Sequence, residues 1–233
     1  MRIWHISDTH CLHNQIQVPQ DIDTVVHSGD CSNSKNSALN SVEVFDFLDW
    51  FSALKVKNKI FVAGNHDVSI ERRLITPDYI RSLGIIYLEN ESACVDGVNF
   101  WGSPITPSFG DGWAWNMNRS KIGMVWQTIP KFTDVIITHG PPKGVLDLSS
   151  NFATGNTELC GCNSLATRII DISPKLSCFG HIHNSENFRN AGLTKLSGHA
   201  TIYSNGCCVI DRTMQLISKN FSGNLLEIGG YDA

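Results

Sequence analysis

The chain is short of charge. Only 17% of its 233 residues are Asp, Glu, Lys or Arg, against about a quarter in an ordinary soluble domain. The deficit is largest on the basic side, where 18 Lys and Arg face 22 Asp and Glu for a net charge of −4. There is no basic run, which argues against a surface built to neutralise the phosphates of long nucleic acid. Long apolar runs are missing as well. Nothing approaches the ~18 residues of a membrane-spanning helix, and the opening "MRIWHISDTH" has no extended apolar segment of the kind a secretory leader carries. Eight cysteines occur without one Cys-x-x-Cys pair, so no zinc ribbon or thioredoxin-type motif is written in the chain. Cys160-Gly161-Cys162 has the spacing of half a metal site with no second half, and packing is the better reading. The expectation is a cytoplasmic protein with reduced thiols. No repeat, low-complexity tract or linker interrupts the chain. We therefore read one domain over residues 1–221, followed by a C-terminal tail over 222–233 that is either a mobile end or a docking segment.

What is present is a supply of short apolar runs. Hydrophobic residues make up 42% of the chain, enough for a sizeable core. Runs of about five residues, rich in β-branched and aromatic types, predict strands at Arg2–Ser7, Thr24–Ser28, Lys59–Ala63, Val98–Gly102, Asp134–Thr138, Leu176–Phe179, Ala200–Ser204 and Cys207–Ile210. Runs apolar on both faces suit strands covered on both sides. Between them, Ser37–Leu54 predicts a helix whose stripe runs through Leu39, Val42, Phe45, Leu48, Phe51 and Leu54, widened by Val44, Phe47 and Trp50. Further helices are expected over Met117–Ile129 and Asn163–Ile172, each closed by a nearby proline. Strands alternating with helices, then a late cluster of strands, imply a layered α/β sandwich.

The polar residues collect where strands end. Asp8 and His10 follow the first run, Asp30 the second, and Asn65, His66 and Asp67 the third. His139 follows the Asp134–Thr138 run, and His181 and His183 follow Leu176–Phe179. The carboxyl ends of strands in an α/β sheet are where ligands bind. A mixed set of carboxylate, amide and imidazole donors suits borderline divalent ions such as Mn, Fe or Zn. Seven ligands exceed the needs of one ion and suit two ions sharing a carboxylate. His5, His27 and His199 read as surface or packing residues.

The blocks "SDTH", "HSGD", "AGNHD", "ITHGPP" and "FGHIH", in that order, resemble the calcineurin-like metallophosphoesterase superfamily over roughly residues 1–211. The framing stretches "VPQDIDTVVHSGD", "WGSPITP" and "THGPPKGVLDL" are similar to its small metallophosphoesterase-domain-containing branch, some members of which are cyclic-nucleotide phosphodiesterases. This resemblance implies a four-layer α-β-β-α sandwich of two mixed sheets, with the di-metal site at the C-terminal ends of the strands. It further implies that Asp8, His10 and His183 hold one metal, that Asn65, His139 and His181 hold the second, and that Asp30 bridges both. Mn is the first choice of metal. His66 is then the general acid, and Asp67 would orient it, although many relatives carry Glu there. The activity implied is hydrolysis of a small phosphoester, most readily a nucleotide-type phosphodiester, by a hydroxide held between the metals. A phosphomonoesterase or protein phosphatase with the same centre, or an inactive metal-binding scaffold, remains an alternative. His13, Asn33, Asn118, Arg119 and Lys143 are weaker candidates for contact with substrate. Trp101, Trp113 and Trp115 are candidates either for an aromatic wall beside a base or for core filling.

Overall fold

The computed structural model describes residues 1–150, 154–218 and 222–229. Its strands, in chain order, are β1 (Arg2–Ile6), β2 (Thr24–His27), β3 (Asn58–Phe61), β4 (Ile86–Tyr87), β5 (Glu91–Val95), β6 (Val98–Ser103), β7 (Thr106–Pro107), β8 (Asn116–Met117), β9 (Val135–Thr138), β10 (Leu148–Ser150), β11 (Thr157–Leu159), β12 (Leu176–Phe179), β13 (Gly192–Lys195), β14 (Ile202–Asn205) and β15 (Asn224–Glu227). The helices are α1 (Ser37–Ala53), α2 (Val68–Glu71), α3 (Pro77–Ser82), α4 (Gly123–Trp126) and α5 (Asn163–Ile172).

One sheet runs β15-β1-β2-β3-β4 and the other β13-β14-β12-β9-β6-β5. The inner strands of both pair in parallel, while β15, β13 and β5 add antiparallel edges. Both sheets are thus mixed. Alternation along the central strands builds three cores. Trp4, Val25 and Phe61 face α1, where Val44, Phe47 and Phe51 meet them. Their neighbours Ile3, Val26 and Ile60 face the second sheet and meet Phe100, Val135, Ile137 and Cys178. Trp101, Ile136 and Phe179 point out of the far side onto Trp126, Leu165 and Ile169. Helix, sheet, sheet and helix therefore stack as four layers, and each inner strand is apolar on both faces because both are covered.

The elements differ from expectation in three places. In α1 the buried stripe is Asn40, Val44, Phe47, Leu48 and Phe51, whereas Leu39 and Val42 are 61% and 67% exposed. A buried amide selects this face. Asn40 donates from Nδ2 to Ser32 Oγ, Ser34 O and His66 O, and it accepts from Ser69 N. The expected helix over Met117–Ile129 shrinks to the single turn of α4. Met117 pairs with Pro107, and Asn118 turns the chain by accepting from the N–H and hydroxyl of Ser120. The Cys207–Ile210 run is not a strand but a crossing segment tied by isolated bridges, Ser7 to Cys207, Asn184 to Ile210 and Val209 to Leu216. The expected tail over 222–233 takes, in part, the docked of its two expected forms. Asn224–Glu227 docks antiparallel on β1, so that part of the expected tail is an edge strand. Residues 230–233 lie outside the described residues.

Candidate metal centre

The C-terminal ends of β1, β2, β3, β9 and β12 meet where the two sheets come together. Backbone bonds lock this meeting: Asp8 N donates to Gly29 O at 2.8 Å, Ser7 N to Gly206 O at 2.8 Å, and Gly180 N to His139 O at 2.8 Å. Four of the polar residues delivered there, Asp8, His10, Asp30 and His181, have φ between 42° and 69°. Side-chain-bearing residues adopt that region at a cost that is concentrated at functional sites. Space is equally constrained. A Cβ on Gly64 would overlap Asp30 Oδ1, and one on Gly180 would overlap Asp8 Oδ2. The glycines of "AGN" and "FGH" are needed because two carboxylates occupy the volume a methyl group would take.

The seven expected ligands gather around Asp30 and Asp8. Asp30 Oδ2 lies 3.3 Å from His139 Nε2, and 3.9 Å from both His10 Nε2 and His66 Nε2. His139 Nε2 is 2.9 Å from Asn65 Oδ1. Asp8 Oδ1 is 3.0 Å from His183 Nε2, whose ring nitrogen is 3.4 Å from His10 Nε2. His181, Asp30 and His139 form one group of potential ligand atoms within 4.8 Å of each other, and His10, Asp30 and His66 another. Asp8, Asp30, Asn65, His10 and His139 are all buried, while His66, His181 and His183 retain partial exposure.

Backbone carbonyls set the imidazoles. His10 Nδ1 faces Ser32 O at 3.1 Å and His139 Nδ1 faces Ser28 O at 2.9 Å. A carbonyl only accepts, so each Nδ1 carries a hydrogen, and whenever the ring is neutral Nε2 points its lone pair toward the centre. Burial lowers the pKa of His10 to about 4 and that of His181 to about 3, keeping both neutral. Burial pushes the Asp8 and Asp30 carboxyls up, but the surrounding imidazoles outweigh it and hold both below the usual carboxylate range. For His139 burial works downward, yet Asp30 carries its pKa up to about 9.

Asp67 does not orient His66. Its carboxylate is turned into the Gly29–Ser32 loop, where it accepts from Asp30 N, Cys31 N, Cys31 Sγ, Ser32 N and Ser32 Oγ, and from Gly64 N. It holds the loop that carries Asp30. His66 is set by other groups. Its Nδ1 donates to Asn33 O at 3.2 Å, its ring packs on Trp113 with centroids 4.4 Å apart, and its backbone N–H donates to Asp30 Oδ1 at 2.7 Å.

The weaker substrate candidates are placed elsewhere. His13 is buried against Phe47 and Trp50, with Nε2 3.2 Å from Asp46 Oδ2. Asn33 acts through its carbonyl on His66, and its side chain donates to His10 O. Asn118 makes its own turn, and Arg119 donates to Cys160 O and Gly161 O. Lys143 is exposed and outside the cavity lining. Trp101 is core and Trp115 packs at its margin, whereas Trp113 faces the site. His5 and His27 are buried packing residues.

The cavity over the centre, about 320 Å³, is lined by Asp30, Asn65, His66, His181 and His183, together with Phe109, Trp113 and Arg212. Sequence reading missed Phe109 and Arg212, since neither sits in a motif. It also missed Cys207, whose thiol donates to Asp8 Oδ2 at 3.1 Å. Its only sequence signal was a place after a late apolar run.

Comparison with known proteins places this geometry. The calcineurin-like phosphoesterase family matches residues 1–185. The chain belongs to the calcineurin-like phosphoesterase family. Within it, the chain is similar to the human Metallophosphoesterase domain-containing protein 1, with 32% identity over 213 residues, covering 81% of this chain and 62% of that protein. A UPF0046 protein of Caenorhabditis elegans is 30% identical over 208 residues, covering 83% of this chain and 67% of that one. The small metallophosphoesterase-domain-containing branch is thus the right one, and this calcineurin-like chain spans under two thirds of its human relative's length. Among solved structures, a Phosphopantetheinyl Hydrolase from Mycobacterium tuberculosis has the same fold at TM-score 0.52 and 14% identity, over 88% of each chain. Another solved structure reaches TM-score 0.61 at 15% identity, over 88% of this chain and 89% of that one. Among the described residues no helix is long and apolar enough to cross a membrane.

Proposed function

We propose that this protein is a metal-dependent phosphodiesterase acting on small nucleotide-type esters, cyclic ones included, with His66 as general acid. One observation carries the proposal: nitrogen and oxygen donors from five strand ends converge on the buried carboxylates Asp8 and Asp30. The donor set fits two divalent ions. Asp8, His10 and His183 would hold one, Asn65, His139 and His181 the other, with Asp30 shared. His10 and His181 are kept neutral and both carboxyls are held ionised, while His139 and His183, raised by Asp30 and Asp8 against the effect of burial, would give up a proton as metal binds. Burial pushes the Cys207 thiol up, so the set is one of nitrogen and oxygen, suited to Mn first and to Fe or Zn. When bound, the ions supply charge neutralisation and Lewis acidity toward phosphate and water.

The chain's own residues do the rest. Asn65 offers a neutral oxygen and adds no negative charge beside an anionic ester. His66 gives its Nδ1–H to Asn33 O, which leaves Nε2 facing Asp30 and the cavity. From that position a proton carried on Nε2 would pass to the departing alkoxide oxygen, a contribution of about 10²–10⁴ in rate. Eight free thiols support a reducing, cytoplasmic setting.

The test is a hydrolysis panel with Mn, Fe and Zn over aryl mono- and diesters, 2′,3′- and 3′,5′-cyclic nucleotides and short oligonucleotides. Diesters are expected to be the better substrates. His66→Gln should lose about 10²–10⁴ on alkoxide leaving groups and less on aryl ones, which leave without a proton. Absence of any metal-dependent hydrolysis would overturn the enzyme reading. Equal rates for variant and wild type on an alkoxide ester would remove His66 from its role.

A further inference from the structure

The loop from Thr106 to Trp115 sets two aromatic rings beside the centre. Phe109 is 50% exposed, yet its ring lies 4.9 Å from that of His181. Trp113 lies 4.4 Å from His66 and 5.9 Å from Phe109, centroid to centroid. Lys35, which is not among the cavity's described lining residues, holds the indole with its Nζ 3.5 Å from the ring centroid. An aromatic wall therefore runs from His66 to His181 across the mouth. It is not core: a half-exposed Phe beside a metal ligand has little packing reason to be there.

The rest of the described lining differs in character. Ser149, Ser150, Ser185 and Asn187 offer hydroxyls and an amide, and Glu186 and Asp211 stand with Arg212, the one lysine or arginine among the described lining residues. Such a lining bonds the polar edge of a neutral group. It is poorly suited to a second phosphate or a polyanionic strand, which needs several cations. His66 marks the leaving-group side, and Trp113 touches His66. The ring wall thus borders the departing group.

We propose that Phe109 and Trp113 form a stacking platform that selects esters of one phosphate whose leaving group carries a flat ring. This rests on the phosphoesterase reading above. Base-on-aromatic stacking is tolerant of ring identity, because every base has a π-face. The platform therefore sets a preference for a class, while the hydroxyl and amide lining discriminates within it.

The test uses the Mn-loaded protein and two probes that share a sugar and a phosphate, adenosine 5′-monophosphate and ribose 5-phosphate, with dissociation constants measured by calorimetry. Wild type should bind the first about tenfold tighter or more. Trp113→Ala should bring the ratio to within about twofold, Trp113→Phe should keep most of it, and Phe109→Ala, at an exposed position, should lower it without loss of thermal stability. In hydrolysis of matched esters with and without a base, the loss in Trp113→Ala should fall on KM for the base-bearing one. Equal wild-type affinity for the two probes, or an unchanged ratio in both alanine variants, overturns the platform. Wild-type hydrolysis of bis(p-nitrophenyl) phosphate, run alongside, separates the two failures. If hydrolysis persists without ring preference, only the platform falls; if it is absent with every metal, the phosphoesterase reading falls.

Discussion

Asp67 is adjacent to His66 in the chain, and its carboxylate faces six donors of the Gly29–Ser32 loop and Gly64 rather than the imidazole. Adjacency suggested a carboxylate–imidazole pair. The two residues sit in a tight turn, with Asp67 N donating to Gly64 O and Val68 N to His66 O, and the turn sends their side chains to different neighbours. Asp67→Asn replaces one acceptor oxygen with a donor that meets backbone N–H groups head-on. The expected cost is roughly 2–4 kcal/mol, read from urea unfolding, with weaker Mn binding because the loop bearing Asp30 loosens. The sensitivity of the remaining activity to leaving-group pKa should stay that of wild type. A variant with wild-type stability and an altered leaving-group dependence would instead return Asp67 to an orienting role.

At the level of elements, α1 reaches the centre through one side chain. Asn40 ties the helix to the loop after β2, to the backbone of His66 and to the start of α2. Two of its four bonds are fully buried and two partly, so removing the amide leaves several groups without partners. Asn40→Ala should destabilise the fold by about 2–4 kcal/mol and lower activity beyond what the loss of folded protein explains, since His66 O is one of its acceptors. Chemical denaturation together with active-site titration would separate the two effects. A hydrophobic reading of α1 finds the helix but rotates it, because the residue that chooses its face is polar. The loss of the 117–129 helix has a similar cause: the side chain of Asn118 competes with the helix for backbone donors.

At the scale of the whole molecule two uncharged imidazoles are buried, His5 between the sheets and His27 beneath α1 against Phe47, Phe51 and Phe61. His5 bonds Ser204 and Ser28, and His27 bonds Thr9. Burial lowers the pKa of each to about 3. The unfolded chain takes up a proton on each near pH 6.5, and the folded chain refuses it down to about pH 3. Below pH 6.5 the unfolded state therefore binds more protons, and stability falls as pH falls. Between pH 6.5 and 5 each histidine should remove about 2 kcal/mol. The urea midpoint of the metal-depleted protein should drop markedly between pH 7 and pH 5. A flat profile would mean that these imidazoles are reached by protons in the folded state.

The sequence alone determined the central strands β1, β2, β3, β6, β9, β12 and β14, the order of the five polar blocks and, by resemblance, the family and seven candidate donors. Those signals are local: a strand's apolar run and the residues that end it are neighbours in the chain. Its edges were less legible. β15 pairs with β1 across more than 200 residues, and no local pattern marks such a partner. The tertiary structure decided what each polar group faces. It turned Asp67 into the Asp30 loop and His13 into the core, and it brought Cys207 to Asp8 and Phe109 to His181. A side chain's partner depends on which distant backbone arrives beside it. Here that is set by the packing of two sheets whose ends meet at one place.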